Sequence, residues 1–531
     1  MNARRVAAGA AAGIAGGAAL VAAVSVLARV VGFGRQLVFQ AVVSETVLGS
    51  IYQTANALPN VAFEIVAGGA LASVVVPLLA AAATRGDTEH VRQVVSALLG
   101  WTLVVLVPVA LLGVLVAGPV MEFMLRGTGG QLGAETGRRM LLIFLPQIPL
   151  YGIAVVTAGV LQAHRRFLAA ALAPVLSSIV VASAYVLFNQ SFDGDRDDLS
   201  TVSPTSEWIL AGGTTLGVLA LALATLVPML LRVTGIGLTL RLPPGVGRLT
   251  RRLAVAGLAT LVAQQVAYLV AMAMANQQAP EGGWVTYVNS WLVYLLPYAV
   301  LAVPIATAAF PRLSQHAHDD VGSYARTLSG TTRAVLIASA AGAAMLVAAS
   351  GPIAEFFELI SQADVPPDRM ALALMAFAPG LIGYGLVALL GRALYARGKG
   401  RAAATAIVTG WLLAAGLAVV LAHGLAGDQV IAGLGLAHAI GMLAAGGLLL
   451  RAVYADSGRP ALSGVARAGV SGCTGAVVGA AAGWFAARAL PDGGLVLTVG
   501  AGLLAALVAL VCVAGVVWLS DRDDLRRLLR R

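Results

Sequence analysis

Apolar residues run along this chain in blocks of about 20 residues or more, and short polar stretches separate the blocks. The blocks fall at 13–43, 49–80, 94–118, 138–162, 168–190, 209–232, 252–276, 284–310, 331–351, 371–396, 402–423, 429–450, 464–488 and 494–519. A segment of this length can cross a bilayer only if its backbone satisfies its own hydrogen bonds, so each block predicts a membrane helix. A membrane β-barrel would instead show segments of about ten residues with alternating polarity, and none is present. The pattern therefore predicts an all-α polytopic membrane protein with 14 transmembrane helices.

Loop charges orient the helices. With the N-terminus placed inside and the loops assigned alternately, 26 of the 34 basic residues fall inside. Six fall outside (Arg126, Arg138, Arg139, Arg196, Arg369 and Arg488), and Arg29 and Arg35 lie within the first block. A span too many or too few would scramble this bias, which supports the count and places both termini in the cytoplasm. The acidic residues Asp193, Asp195, Asp197, Asp198 and Glu207, and then Glu355, Glu358, Asp364 and Asp368, crowd two outside loops. They are expected to be solvated loop residues.

Composition agrees. Of 531 residues 59% are hydrophobic and 11% charged, against about a quarter charged in soluble domains, and the mean hydropathy is +0.89. So few charges cannot solvate a surface, which excludes a cytosolic enzyme, a secreted disulfide scaffold and a disordered chain. The basic residues are Arg apart from Lys399, as in a GC-rich bacterial coding bias. The net charge of +10 follows orientation and does not mark a nucleic-acid surface. Arg4-Arg5 before an apolar run looks like a signal sequence, but the run continues past Arg29, so an uncleaved first span is expected. Cys473 and Cys512 sit in apolar blocks with no CxxC spacing. The tail 521–531 reads as a stop-transfer flank able to lie on anionic lipid.

The chain repeats internally. YGIAVVTAGVLQAHRRFLA at 151–169 parallels YGLVALLGRALYARGKGRA at 384–402, at an offset of 233, and Leu58-Pro59 parallels Leu296-Pro297 at 238. Six spans separate the copies, and an even number preserves orientation, so the repeat is parallel. The expected organisation is an N-terminal lobe at 1–235 (spans 1–6), a C-terminal lobe at 236–455 (spans 7–12), and spans 13 and 14 with a short tail at 456–531.

Candidate chemistry lies inside the apolar blocks. A central Arg costs about 2.5–3.5 kcal/mol on insertion scales, so Arg29 and Arg35 are unfavourable unless they line a cavity or snorkel. Six residues turn an ideal helix by about 240°, so the two share a face only if the chain opens at Gly32 and Gly34. A guanidinium fork suits phosphate, and the pair is the first candidate for binding a pyrophosphate. Glu64 is the acidic residue within a block, expected to pair with an Arg or to couple ion movement. Pro59, Pro77 and Gly68-Gly69 mark the second block as bendable. Asn56, Gln147, Gln264, Gln265 and Asn289 are expected to bond helices together, with Asn56, Gln264 and Asn289 also candidates for lining a cavity. His438 reads first as a bonded structural residue. GTGGQLG at 127–133 and GKGR at 398–401 lack nucleotide-loop spacing, and His316-Ala-His318-Asp319-Asp320 reads as polar loop. No enzyme chemistry, cofactor or metal is expected.

Several stretches taken together resemble the MurJ/MviN family of lipid II flippases in the MOP exporter superfamily: ARVVGFGRQLVFQ (28–40), LPNVAFEIVAGGALASVVVPLLA (58–80), LQAHRRFLAAALAPVLSS (161–178), FPRLSQHA (310–317) and RALYARGKGRAAA (392–404). The resemblance implies two six-helix lobes, a central cationic cavity, and a groove on spans 13 and 14 for a polyprenyl tail. It carries the family's first-span arginines onto Arg29 and Arg35. Other positions depart: Phe63-Glu64 stand near the family's Arg-Arg, Gly68 at its Glu, Ser50 near its acidic residue, Gln36 at its Asp, and Ser290-Trp291-Leu292 around its Ala-Asp-Arg. The implied cavity is less charged than is usual in the family. The implied function is translocation of lipid II from the inner to the outer leaflet of the bacterial cytoplasmic membrane by alternating access. Membrane lipids and cell-wall synthesis proteins are the expected partners, with no nucleic acid. The alternatives are a MOP-type exporter of another lipid-linked saccharide, a drug/ion antiporter, and a non-transporting scaffold of the cell-wall machinery.

Overall fold

A computed structural model describes Val24 and residues 26–65, 88–164, 166–233, 235–241, 246–491 and 493–520. Arg4-Arg5, Gly68-Gly69, Pro77 and the 521–531 tail lie outside the described residues. Those described are helical with short connections and hold no strand. Packing divides the chain into two units, Met1–Leu125 with Gly129–Leu261, and Arg126–Thr128 with Val262–Arg531.

In the first unit the helices are α1 (26–42), α2 (Val47–Phe63), α3 (Thr88–Met124), α4 (Gly130–Phe144), α5 (Gln147–Ala163), α6 (Phe167–Ser191) and α7 (Pro204–Leu230). Helix α8 (Val246–Gln278) leads into the second unit. There follow α9 (Gly283–His316), α10 (Val321–Ala348), α11 (Ser350–Ile360), α12 (Pro367–Phe377), α13 (Gly380–Ala396), α14 (Gly400–Gly424), α15 (Gln429–Ser457), α16 (Val465–Arg488) and α17 (Leu495–Ser520). With α4 and α5 taken together as one span, eleven described helical stretches are long and apolar enough to cross a membrane, or twelve if α12 and α13, bent by 43°, form one span. These twelve coincide with the third to fourteenth predicted blocks. The first two blocks run into residues outside those described.

The repeat extends beyond the residues that first showed it. Helices α5 and α13 are 17 residues each and α6 and α14 are 25 each, and both pairs are offset by 233. The breaks that precede α5 and α13 are Phe144-Leu145-Pro146 and Phe377-Ala378-Pro379, at the same offset. Proline cannot donate to the ladder and crowds the preceding turn, so both helices break where it stands. After the Leu-Pro pairs of α2 and α9 the backbone widens to π-helix, at 64–65 and at Tyr298–Ala302.

Small residues let neighbouring backbones approach where no hydrophobic force drives helices together. Gly213 and Gly217 of α7 lie against Ala184 and Val181 of α6, where a Cβ would clash. Gly475, Gly479 and Gly483, one per turn of α16, face Val513, Ala509 and Ala505 of α17, and a Cβ at Gly479 would stand 2.6 Å from the Ala509 carbonyl oxygen. Valine and leucine fill the wider contacts: Val94, Val95 and Leu98 of α3 pack on Val156 and Val160 of α5 and Met229 of α7.

Several charges expected to lie in solvated outside loops prove structural. Glu207 is 3% exposed. Its carboxylate accepts from Arg139 of α4 at Nη2 (2.5 Å) and Nε (2.9 Å). Asp197 accepts from the backbone N–H of Val47 at 2.8 Å, and Arg196 donates to the Val42 carbonyl at 2.5 Å. A charge at the end of a span is lost to water unless paired, and each of these found a partner in another segment. In the second unit Arg369, 5% exposed, binds Asp428 and the Glu281 carbonyl, and Arg397 binds Asp456 at 2.9 Å.

Candidate functional site

Helix α1 carries both arginines of the first apolar block. Its C-terminal end is firmly held. Phe39 is wholly buried and stacks on Tyr52 of α2 with ring centroids 5.4 Å apart. The Tyr52 hydroxyl bonds the hydroxyls of Tyr185 (2.8 Å, α6) and Thr214 (2.6 Å, α7). The chain then turns through Ser44, which takes a left-handed φ of 65° and bonds the Gln40 carbonyl. Thr46 caps α2 by accepting from the Gly49 N–H at 3.1 Å. A tight polar turn between two apolar runs thus fixes the angle at which α1 leaves α2.

Arg35 lies about one turn from this anchor and is half-buried, whereas Arg29 is exposed. The helix continues unbroken through Gly32 and Gly34, where a Cβ would meet nothing within 4 Å. The expected opening is therefore not present: among the described residues no neighbour crowds α1 there, and the regular ladder is retained. The two guanidiniums accordingly stand about 240° apart around the helix and roughly 9 Å apart along it. Among the described residues neither forms a salt bridge.

Arg35 lines an open groove of about 640 Å³ formed with α6. The polar lining opposite is Ser178, Ser183 and Gln190, and among the described residues no carboxylate borders the groove. A cation with neutral hydrogen-bonding neighbours and no internal counter-ion is a natural seat for an oxyanion.

The other sequence candidates are distributed. Asn56 is half-buried on α2, its Oδ1 buried without a hydrogen bond and its carbonyl accepting from Asn60. Glu64 is exposed at the π-helical turn that ends α2. Both share the unit of Arg29 and Arg35. Gln264, half-buried on α8, and Asn289, wholly buried on α9, belong to the second unit. Gln147 ties α5 to α7 through Thr215 at 3.0 Å, as expected of a helix-bonding amide. His438 is buried, bonded to the Tyr294 hydroxyl at 3.2 Å and enclosed by Trp291, Phe377, Tyr384 and Trp411, with the Trp291 centroid 4.7 Å away. This is the structural histidine the sequence suggested.

Sequence reasoning missed the buried Arg139–Glu207 pair and the buried Glu45 in the α1–α2 turn. The available signal was the position of each at the end of an apolar block. Among the described residues no group of three or more His, Cys, Asp or Glu could hold a metal, and His316 instead bonds the Arg312 carbonyl of its own helix.

Known proteins supply the wider frame. In solved structures the fold matches a lipid II flippase MurJ in an inward closed conformation, with a TM-score of 0.72 at 17% identity over 96% of this chain and 100% of that one. It also matches an inward-facing multidrug resistance MATE transporter of the MOP superfamily (TM-score 0.65, 14% identity, 83% and 96% coverage). A MOP superfamily transporter from Pyrococcus furiosus matches at a TM-score of 0.53, with 18% identity and 84% and 96% coverage. At these identities the structures share the fold and nothing finer. The family model for lipid II flippase MurJ covers residues 40–499, most of the sequence, and on that match the chain belongs to the MurJ lipid II flippase family.

Proposed function

We propose that this protein carries lipid II, a polyprenyl-pyrophosphate-linked peptidoglycan precursor, from the inner to the outer leaflet of the bacterial cytoplasmic membrane by alternating access, with both termini in the cytoplasm. The observation that carries the reading is family membership over residues 40–499. Arg35 supports it from the structure as a half-buried guanidinium in a groove whose described lining holds no carboxylate. A fork of two parallel donors matches a pyrophosphate oxygen pair, and the neutral Ser178, Ser183 and Gln190 leave the charge uncompensated until an anion arrives. Arg29, exposed about 9 Å along the same helix, offers a second contact once the substrate has moved. Glu64 is the carboxylate through which an ion antiporter of the same fold would work. The protein moves its substrate across the bilayer and forms no covalent bond to it.

The test is flipping of lipid II in reconstituted vesicles, read by accessibility to an external probe, for wild type and for Arg29→Ala, Arg35→Ala, Arg29→Lys and Arg35→Lys, with inserted protein measured alongside. A charge-assisted bond is worth about 1.5–3 kcal/mol, so each Ala variant should lose roughly tenfold or more at normal insertion. The Lys variants, which keep charge but not the fork, should recover part of that. Full transport by both Ala variants would remove the arginines from the mechanism. No lipid II movement by the wild type would favour the scaffold reading, or another lipid-linked saccharide as cargo.

A further inference from the structure

At one end of the second unit the C-terminus of α16 and the N-termini of α12 and α17 surround a cavity of about 860 Å³. This is the size of a site for a small amphiphile. The walls are chiefly apolar, from Met375, Phe485, Leu497 and others, but among the described residues three charges open onto it: Glu355 of α11, Asp368 of α12 and Arg488 of α16. Glu355 is half-buried and accepts from the Thr498 hydroxyl at 3.0 Å, which fixes its carboxylate against α17. Arg488 lies over the Trp484 ring, 3.5 Å from the centroid, a stack that holds the guanidinium at the level where the helix leaves the apolar layer. Acidic groups, a cation and an interfacial Trp beside an apolar pocket describe a headgroup site at the bilayer edge.

The charges narrow the occupant. Two carboxylates against one guanidinium leave the lining net negative, which disfavours an anionic lipid. A bare acyl or prenyl chain would desolvate both carboxylates without compensation. Among the described residues there is no metal-holding cluster. A group carrying separate positive and negative charges on an apolar tail meets every wall. We propose that this cavity binds phosphatidylethanolamine, its primary ammonium at Glu355 and Asp368, its phosphate at Arg488, and its chains along the apolar wall. The site is separate from the Arg35 groove, which belongs to the other unit.

Native mass spectrometry of the purified full-length protein, equilibrated with phosphatidylethanolamine, phosphatidylcholine or phosphatidylglycerol of matched chains, tests this without reference to transport. Phosphatidylcholine keeps the positive charge but has no N–H donors. Wild type should retain phosphatidylethanolamine over phosphatidylcholine by about tenfold, the worth of the charge-assisted bonds. The double variant Glu355→Gln, Asp368→Asn should reduce that preference to about twofold or less, and Arg488→Gln should weaken both lipids alike. Thr498→Val removes the bond that holds the Glu355 carboxylate and should lower the preference in part. Asp368→Asn alone, at an exposed position, gives a partial loss and serves if the double variant does not insert. Equal retention of the two lipids by wild type, a preference for phosphatidylglycerol, or an undiminished preference in the carboxylate variants would overturn the proposal.

Discussion

The Arg139–Glu207 pair makes a directional prediction about the first unit. The partners are unequally buried: the Glu207 side chain is 4% exposed and the Arg139 side chain 39%. Arg139 also has other company, Glu135 at 3.2 Å and the Thr136 hydroxyl at 3.0 Å, while its remaining surface reaches water. Removing the carboxylate charge with Glu207→Gln therefore leaves a guanidinium that can be re-solvated, at a cost of about 1.5 kcal/mol, the lower end for a charge-assisted bond. Removing the guanidinium with Arg139→Ala leaves a buried carboxylate with nowhere to turn, and breaking a buried pair in that sense costs about 3–5 kcal/mol. Glu207 lies in the first turn of α7, where the helix dipole offsets up to about 1 kcal/mol of this, so about 3 kcal/mol remains. The double variant should be more stable than Arg139→Ala alone, because its buried group is then neutral. Thermal unfolding of the four proteins in one detergent, followed by tryptophan fluorescence, measures the order. A Glu207→Gln loss equal to or larger than that of Arg139→Ala, or a double variant no better than Arg139→Ala, would refute the asymmetry.

Other outcomes follow from the packing and the charges. Gly479→Ile should separate α16 from α17 and lower stability by about 1–3 kcal/mol through overpacking, while Gly469→Ala, with open space around it, should leave the unfolding temperature unchanged. Tyr52→Phe removes the hydroxyl shared by Tyr185 and Thr214 and should cost about 1–2 kcal/mol, seen as a lower unfolding temperature. Collapsing the membrane potential at constant pH gradient should slow lipid II flipping in vesicles, since each charge moved across 100 mV is worth about 2.3 kcal/mol. Unchanged flipping would point to proton coupling through Glu64.

The helical fold was legible because lipid imposes a simple rule on sequence. An apolar block must be a helix, and twelve of the fourteen blocks coincide with described helical spans, the ends differing by as much as ten residues. The repeat was visible at Tyr151-Gly152 and Tyr384-Gly385, but its extent appeared only with the helix breaks at Pro146 and Pro379. The site was less legible. Arg29 and Arg35 stood out because charge in an apolar run is rare, yet nothing in the sequence distinguished the exposed one from the one in a groove. That difference depends on α6, more than 140 residues away. Gly32 and Gly34 permit an opening without requiring it, and the ladder kept its ordinary form. Glu207 looked like loop because its partner is 68 residues distant in sequence, and Asp197 because the N–H it caps is 150 residues away.

The matched lengths of α5 and α13, and of α6 and α14, bear on what mutation can do to these segments. Between Phe144 and Ser191, and again between Phe377 and Gly424, two helices and their connection keep the same count of residues while most side chains differ. An exchange of one apolar residue for another of similar size leaves the register of every neighbour in place. One inserted or deleted residue turns everything beyond it by about 100° and slides it by about 1.5 Å. Lipid-facing groups would then point inwards and packed glycines outwards. The two stretches should therefore accept wide substitution and almost no change of length, a grammar in which spelling drifts freely while metre does not.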